Sequence, residues 1–556
     1  MEKNSKPIDY LGGNCYNKVI DRIDSAFLEK EQKEQKKGDN FQDHEKEFFL
    51  NSKGEPVYLT GLQCHNSSVG TAEMEKTIQA IRLFGGNLLE APVYWCELEP
   101  EKDRYDFDQL QGLLDLVNRE KLYLIPLWFG ASKNGMSTYA PEYVKRDPDT
   151  YRMAENALGF AVESLAPDCK ATLERDKKAF EQMLAYLAEH DTEKRVIALQ
   201  VENEMGLVRT DRDYSEAAEA LYHAPVPEYL EKKGNWKHAY GRLSAEAFTA
   251  WTHARYVKEL VENAGALFPV PYIMNISLEL NEYEEPGHCY IAGGPVAKVL
   301  DIWKKTVPEI HLYGPDIYLQ AERDYREACR RYTREDNPLF IPESCITGTG
   351  AGLNMMIAAG DYQAIGVCCF GAESAVSEGQ LIPDALETAS SMRMISSVAP
   401  LLIRFHRTGK IHTILQSEFS QWQYILAEKY HVTVHFTNCM EGQRNYFGSR
   451  INLFSPEHTA ELKRRGKGLL FENGDEFYVV GCGLCIDFRK RPGENEERAY
   501  EYLRSDGAST FHFLSIEEGH FEDGEWICEY RRNGDESYGG VYVHEGSIVR
   551  IRFNPD

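Results

Sequence analysis

The chain has 556 residues and carries 62 Lys and Arg against 88 Asp and Glu, a formal net charge of −26. An acidic excess of that size repels a phosphate backbone and an anionic membrane surface, which excludes nucleic acid and membrane as expected partners. A hydrophobic share of 42% and an aromatic share of 12% are those of a globular protein, and no apolar run approaches the roughly 20 residues that span a bilayer.

Residues 1–54 read as a charged N-terminal lead-in, rich in Lys, Glu, Asp, Asn and Gln. Residues 1–7 are not followed by the apolar stretch of a secretory signal. The thirteen cysteines sit mostly in apolar runs such as Val367-Cys368-Cys369-Phe370, which suits reduced thiols better than a disulfide framework. Both observations predict a cytoplasmic protein.

From 55 to 405 short apolar runs alternate with segments of helical period. The predicted strands are 57–62, 87–94, 122–129, 196–201, 272–276, 310–313, 339–341 and 365–370. Helices are predicted between them, the first over 71–84 behind a Thr71 cap and the second behind an Asp108 cap. Eight strands with intervening helices fit an α/β fold of the (β/α)8 TIM barrel type, although a doubly wound open sheet gives the same alternation. Residues 406–556 change to short strands with turn signals at Asn473-Gly474, Asp523-Gly524 and Asn533-Gly534, which predicts a small all-β C-terminal domain. The long segment 207–240 is read as a lid, an oligomer contact or a solvated helical excursion.

In a barrel the reactive groups stand at the C-terminal ends of strands. The fourth predicted strand ends in Glu202-Asn203-Glu204 and the seventh in Pro342-Glu343-Ser344. A carboxylate at the end of an apolar strand is costly to bury unless paired or hydrogen-bonded, which marks Glu204 and Glu343 as functional candidates over two solvated loop residues. Two carboxylates across a ring suit retaining glycoside hydrolysis, with Glu343 as nucleophile and Glu204 as acid/base. Asn203 would hydrogen-bond the sugar 2-hydroxyl. Trp95 and Trp128, ending strands two and three, are candidate plates for the apolar face of a sugar. His65 and Asn66, ending strand one, are further substrate-binding candidates. Cys482-Gly483-Leu484-Cys485 has metal-ligand spacing but sits in an apolar run with no second pair, so neither metal nor cofactor is expected.

Asn203-Glu204 after strand four and Glu343 after strand seven resemble the retaining barrel enzymes of glycoside hydrolase clan A. The series Cys64-His65-Asn66-Ser67-Ser68, Ala91-Pro92-Val93-Tyr94-Trp95, Leu127-Trp128-Phe129-Gly130 and Gly314-Pro315-Asp316-Ile317-Tyr318 resembles bacterial β-galactosidase-like proteins of family 35, similar to family 42 in the barrel and carrying a small C-terminal β domain. The resemblance implies a retaining exo-acting β-galactosidase on oligosaccharides or small glycosides, free or as a homo-oligomer, and it adds Tyr318 as a residue beside the nucleophile. One departure stands out: where the best-known family 35 enzymes carry an Arg-Pro-Gly-Pro-Tyr type of run, this chain has Leu127 to Asn134. A β-glucosidase or transglycosylase using the same carboxylates is therefore an alternative. A non-catalytic carbohydrate-binding barrel is the alternative of another class.

Overall fold

Each of the eight predicted strands forms a parallel strand of one sheet. The computed structural model describes residues 47–281, 283–417, 420–437, 465–491, 513–533 and 540–554; the predicted lead-in lies outside these up to residue 46. The strands are β1 Leu59–Gln63, β2 Leu88–Tyr94, β3 Tyr123–Lys133, β4 Leu199–Asn203, β5 Tyr272–Ser277, β6 Ile310–Asp316, β7 Phe340–Ile341 and β8 Gly366–Phe370. They pair in the order β6-β5-β4-β3-β2-β1-β8-β7. The two ends meet where Ile317 bridges Ser344 in parallel and the Ile317 N–H donates to the Glu343 carbonyl at 2.8 Å, so the ring is a nearly closed TIM-type barrel.

Strands of this kind are covered on both faces, by the barrel interior and by the helices, and therefore read as continuous apolar runs. Leu62, Leu88, Leu89, Ile125, Leu199 and Val201 are all fully buried. β7 is only two residues long because Pro342 follows it and has no N–H to give the ladder. β3 runs four residues beyond its predicted end through an irregularity in its pairing with β4 between Trp128 and Lys133.

One main helix follows each strand: α1 Glu73–Phe84, α2 Asp108–Glu120, α3 Lys170–His190, α4 Ser244–Val261, α5 Leu300–Thr306, α6 Glu322–Tyr332, α7 Ala351–Gly360 and α8 Leu386–Ser397. The cap predicted at Thr71 moves by one residue: Ala72 is the N-cap of α1, and Thr71 Oγ1 accepts the Glu73 N–H at 3.2 Å from just outside the helix. The cap predicted at Asp108 is corrected. Asp108 is the first residue of α2, and its N–H is satisfied by Asp106 Oδ1 at 3.0 Å.

Beyond the barrel the chain forms two antiparallel sheets. One has the order β9-β12-β13-β18-β15-β16, built from β9 Ile411–Leu415, β12 Lys467–Asn473, β13 Glu476–Cys482, β15 Phe513–Glu522, β16 Glu525–Arg531 and β18 Ile548–Phe553. The other has the order β10-β11-β14-β17, built from β10 Trp422–Leu426, β11 Tyr430–Phe436, β14 Leu484–Lys490 and β17 Val541–Val543. Ile414, Val434, Phe477, Ile486 and Ile551 form their common core. Asn473-Gly474 turns β12 into β13, and Asp523-Gly524, with φ of 48° and 80°, supplies the left-handed pair that a tight hairpin between β15 and β16 requires. Gly534 lies outside the described residues.

Phe471, Tyr478 and Ile548 of the sheets belong to the barrel's own core cluster, and Phe48–Asp556 is one unit.

Candidate active site

The C-terminal end of β4 is built against ordinary strand geometry. Glu202 and Glu204 have φ of 58° and 43°, a left-handed conformation that side-chain-bearing residues adopt only where their surroundings enforce it. The enforcement at Glu202 is visible. Its carboxylate accepts the Ser132 N–H at 2.8 Å and the Ala131 N–H at 3.1 Å, and beside it Asp176 of α3 accepts from Trp128 Nε1 at 2.8 Å and Tyr256 Oη at 2.6 Å. Burial, above all, pushes both carboxyl groups up, and for Glu202 the neighbouring Asp176 charge adds to it. The pair clamps residues 131 and 132 and so delivers Lys133, the end of β3, to the barrel mouth. Gly130 lies in this clamp: a Cβ there would stand 2.3 Å from Trp128 Nε1.

Lys133 Nζ donates to Asn203 Oδ1 at 2.7 Å and to Asn134 Oδ1 at 2.5 Å. With its oxygen so occupied, Asn203 turns Nδ2 towards Glu343 Oε1 at 3.4 Å. Asn275, the polar residue within apolar β5, accepts the Glu204 N–H at 2.9 Å; its Nδ2 donates to Asp316 Oδ2 at 2.7 Å and lies 3.4 Å from Glu343 Oε1. Tyr318 donates its hydroxyl to Glu343 Oε2 at 2.6 Å while its ring remains 42% exposed. Glu343, itself buried, thus faces donors on both oxygens.

Three further carboxyls surround it, each with a raised pKa. Glu204 is pushed up to about 7 by burial first and by the Glu343 charge second, against a lowering by Lys133. Asp316 at the end of β6 is held well above the carboxylate range by burial, then by Glu343 and Glu204. Glu90 on β2 is raised by burial and then by Glu343, against a lowering by the Cys368 thiol beside it. The arrangement is one glutamate ringed by hydrogen-bond donors, beside three carboxyls whose pKa values are raised. Such a set can attack a carbon electrophile and protonate a leaving group in one cavity.

Glu204, Glu343, Asn203 and Tyr318 are therefore brought together as the sequence predicts. His65 and Asn66 lie at the end of β1, half-buried; their hydrogen bonds run to Ser374 Oγ at 2.8 Å, to the Glu373 carboxylate at 3.1 Å and from Tyr139 Oη at 3.2 Å. Trp95 and Trp128 are corrected. Both are 0% exposed, and their indole N–H groups are spent on Glu99 at 3.0 Å and Asp176, so neither offers a face to a sugar. Sequence reasoning missed Lys133, Asn275, Asp316 and Glu90, although each is a polar residue within or ending an apolar strand. Cys482 and Cys485 flank the Gly483 turn, no disulfide joins the described cysteines, and among the described residues no group of three His, Cys, Asp or Glu is placed to hold a metal. Among the described residues no helix is long and apolar enough to cross a membrane.

Residues 67–265 match the glycoside hydrolase family 42 model, described as β-galactosidase, and residues 388–543 match a domain of unknown function, DUF5597. No curated protein matches the chain. Similar solved structures include the β-galactosidase of Bacillus circulans sp. alkalophilus, 14% identical with a TM-score of 0.48, covering 63% of this chain and 57% of that one. The β-galactosidase of Rahnella sp. R3 is 15% identical with a TM-score of 0.47, covering 63% and 57%. The exo-β-1,4-mannosidase Op5Man5 of Opitutaceae bacterium strain TAV5 is 13% identical with a TM-score of 0.43, covering 63% and 62%. The chain thus spans less than two thirds of the length of these three. Structural likenesses this distant bear on neither sugar nor mechanism. The family 42 match covers just over a third of the chain and supports a barrel glycoside hydrolase with a carbohydrate substrate. The model matched is that of family 42, so the family 35 assignment is set aside.

Proposed function

We propose that the protein is a retaining, exo-acting β-glycosidase, with β-galactosides as its first substrates, working in the cytoplasm. The observation that carries this reading is the asymmetry of the two glutamates. Glu343 accepts hydrogen bonds from Tyr318, Asn203 and Asn275, whereas Glu204 holds its proton up to about 7. In the first step a Glu343 oxygen bonds to the anomeric carbon as the glycosidic C–O bond breaks, and Glu204 passes its proton to the departing oxygen. Esterification removes the Glu343 charge that helps to raise Glu204, so Glu204 is then a better base. In the second step it takes a proton from water, whose oxygen displaces Glu343 and restores the anomeric configuration. A double displacement of this kind needs carboxyls about 5–5.5 Å apart.

Glu343→Gln and Glu204→Gln, assayed with wild type on aryl β-galactosides, β-glucosides and β-mannosides, test the reading. Glu343→Gln is expected to be inactive throughout. Glu204→Gln is expected to keep activity only on leaving groups that need no proton, and to yield the β-glycosyl azide when azide is added. Full activity in both variants, or a wild type that cleaves none of the panel, refutes it.

A further inference from the structure

Three loops on the catalytic face of the barrel line a half-open cavity of about 780 Å³. Its walls are residues 156–158 after β3, residues 209–211 and 214 just beyond Glu204, and residues 283–286 and 288 after β5. These loops are fastened to one another. Leu207 and Ala292 exchange backbone hydrogen bonds at 2.9 Å, Arg209 N–H donates to the Gly287 carbonyl at 2.7 Å, and Tyr214 N–H donates to the Glu155 carbonyl at 2.9 Å. Gly287, at φ 78°, makes this approach possible, since a Cβ there would stand 1.9 Å from the Thr210 carbonyl oxygen. Arg209 is five residues from Glu204, so the cavity wall begins within about 18 Å of the acid/base along even a fully extended chain.

The cavity has a polar base and an apolar rim. Glu246 of α4 lines it while only 1% exposed; its Oε2 accepts the Gly293 N–H at 3.1 Å, and the Tyr290 hydroxyl stands beside the carboxyl as a further donor. Burial, opposed by Lys298, pushes this carboxyl up to about 8, so near neutrality it is an uncharged group able to donate and to accept. Lys298 is fixed over the Tyr290 ring at 4.3 Å. At the rim Leu158 and Tyr283 are 80% and 79% exposed, large apolar surfaces left in water beside the opening. Apart from Glu246, the charged lining balances: Arg209, Arg242 and Lys298 against Asp211, Glu284 and Glu285. A balanced lining selects no ion, whereas hydroxyl groups pair with both signs and a sugar's apolar face suits an exposed tyrosine ring. The volume falls within the ~300–1,000 Å³ of small-ligand sites.

We propose that this cavity is an accessory subsite for uncharged sugar units on the leaving-group side of an oligosaccharide. The inference rests on the glycosidase reading, because it takes Glu204 as the group that protonates the leaving oxygen. The enzyme's substrates are then β-linked oligosaccharides longer than a disaccharide.

The test compares kcat/KM of wild type, Tyr283→Ala and Glu246→Gln on the best-cleaved aryl β-glycoside and on β-1,4-linked di-, tri- and tetrasaccharides of the same sugar. Tyr283 is exposed, so its truncation spares the fold. Wild-type kcat/KM is expected to rise with length, and the tetrasaccharide-to-aryl ratio to fall about tenfold in each variant, the loss of roughly one stacking or hydrogen-bonding contact. A wild-type profile flat with length, or a ratio unchanged in both variants, overturns the subsite and leaves the glycosidase reading standing. If no aryl glycoside is cleaved, it is the glycosidase reading that fails. Calorimetric titration with the galactose, glucose and mannose tetrasaccharides then decides the cavity: binding weakened by Tyr283→Ala supports it, and no binding to wild type overturns it.

Discussion

Lys133 Nζ lies 2.7 Å from Asn203 Oδ1, and that contact holds the N–H end of the Asn203 amide towards Glu343. The Glu343 carboxylate itself favours the N–H end of the amide, and Lys133 holding the oxygen reinforces that orientation. Lys133 also sets a positive charge among Glu204, Asp316 and Glu343.

Lys133→Met is therefore expected to lower kcat/KM about 10²-fold through misplacement of the amide. Because Lys133 lowers the Glu204 pKa, removing it raises that pKa, and the basic limb of the pH profile moves to higher pH. A pH profile of kcat/KM for the variant checks both; a loss of activity with the limb unmoved would assign Lys133 a packing role only.

Glu204 must carry a proton for the first step and loses it as pH rises through about 7, so wild-type kcat/KM is expected to decline above that pH. The Glu343 charge is the second cause of the elevation. In Glu343→Gln the Glu204 midpoint, followed by carbon-13 NMR of the carboxyl, is expected to move down. A midpoint unchanged by the substitution contradicts the coupling between the two residues.

The barrel was legible because its strands are buried on both faces and so stand out as apolar runs, and Glu204 and Glu343 were legible as charges that end such runs. The same double burial hid the rest. In a strand apolar on both faces, composition does not say which residues point inward, so Trp128 read as a sugar plate although it faces α3 and Asp176. The irregularity after Trp128 then shifts the parity of β3 and admits Lys133, which follows residues 131 and 132 held by Glu202 and Asp176 from two other elements. No local pattern announces a clamp whose contacts join residues 45 to 71 positions apart.

Trp128→Phe tests that correction. Removing the indole N–H deprives Asp176 Oδ1 of its donor at a cost of about 1–3 kcal/mol. The expected result is a lower Tm with KM unchanged. A raised KM at unchanged Tm would return Trp128 to the substrate.

The Glu202 and Asp176 pair also gives stability a pH dependence of known sign. Their folded pKa values are raised, so the stability of the protonated pair is fully present below the unfolded carboxylate range and is lost as pH rises through the folded values. Asp176→Asn keeps a neutral side chain at every pH. The Tm of the variant relative to wild type is expected to rise with pH, and a pH-independent difference would mean that the pair's pKa values are not raised.

The central claim is that Glu343 forms a covalent bond to the sugar while Glu204 moves the proton. Incubation with a 2,4-dinitrophenyl 2-deoxy-2-fluoro-β-glycoside of the preferred sugar, followed by intact-mass and peptide mass spectrometry, tests it directly. One glycosyl adduct per chain is expected, on the peptide containing Glu343. An adduct on another residue, or turnover of the parent glycoside with no adduct and an inverted product, would contradict it.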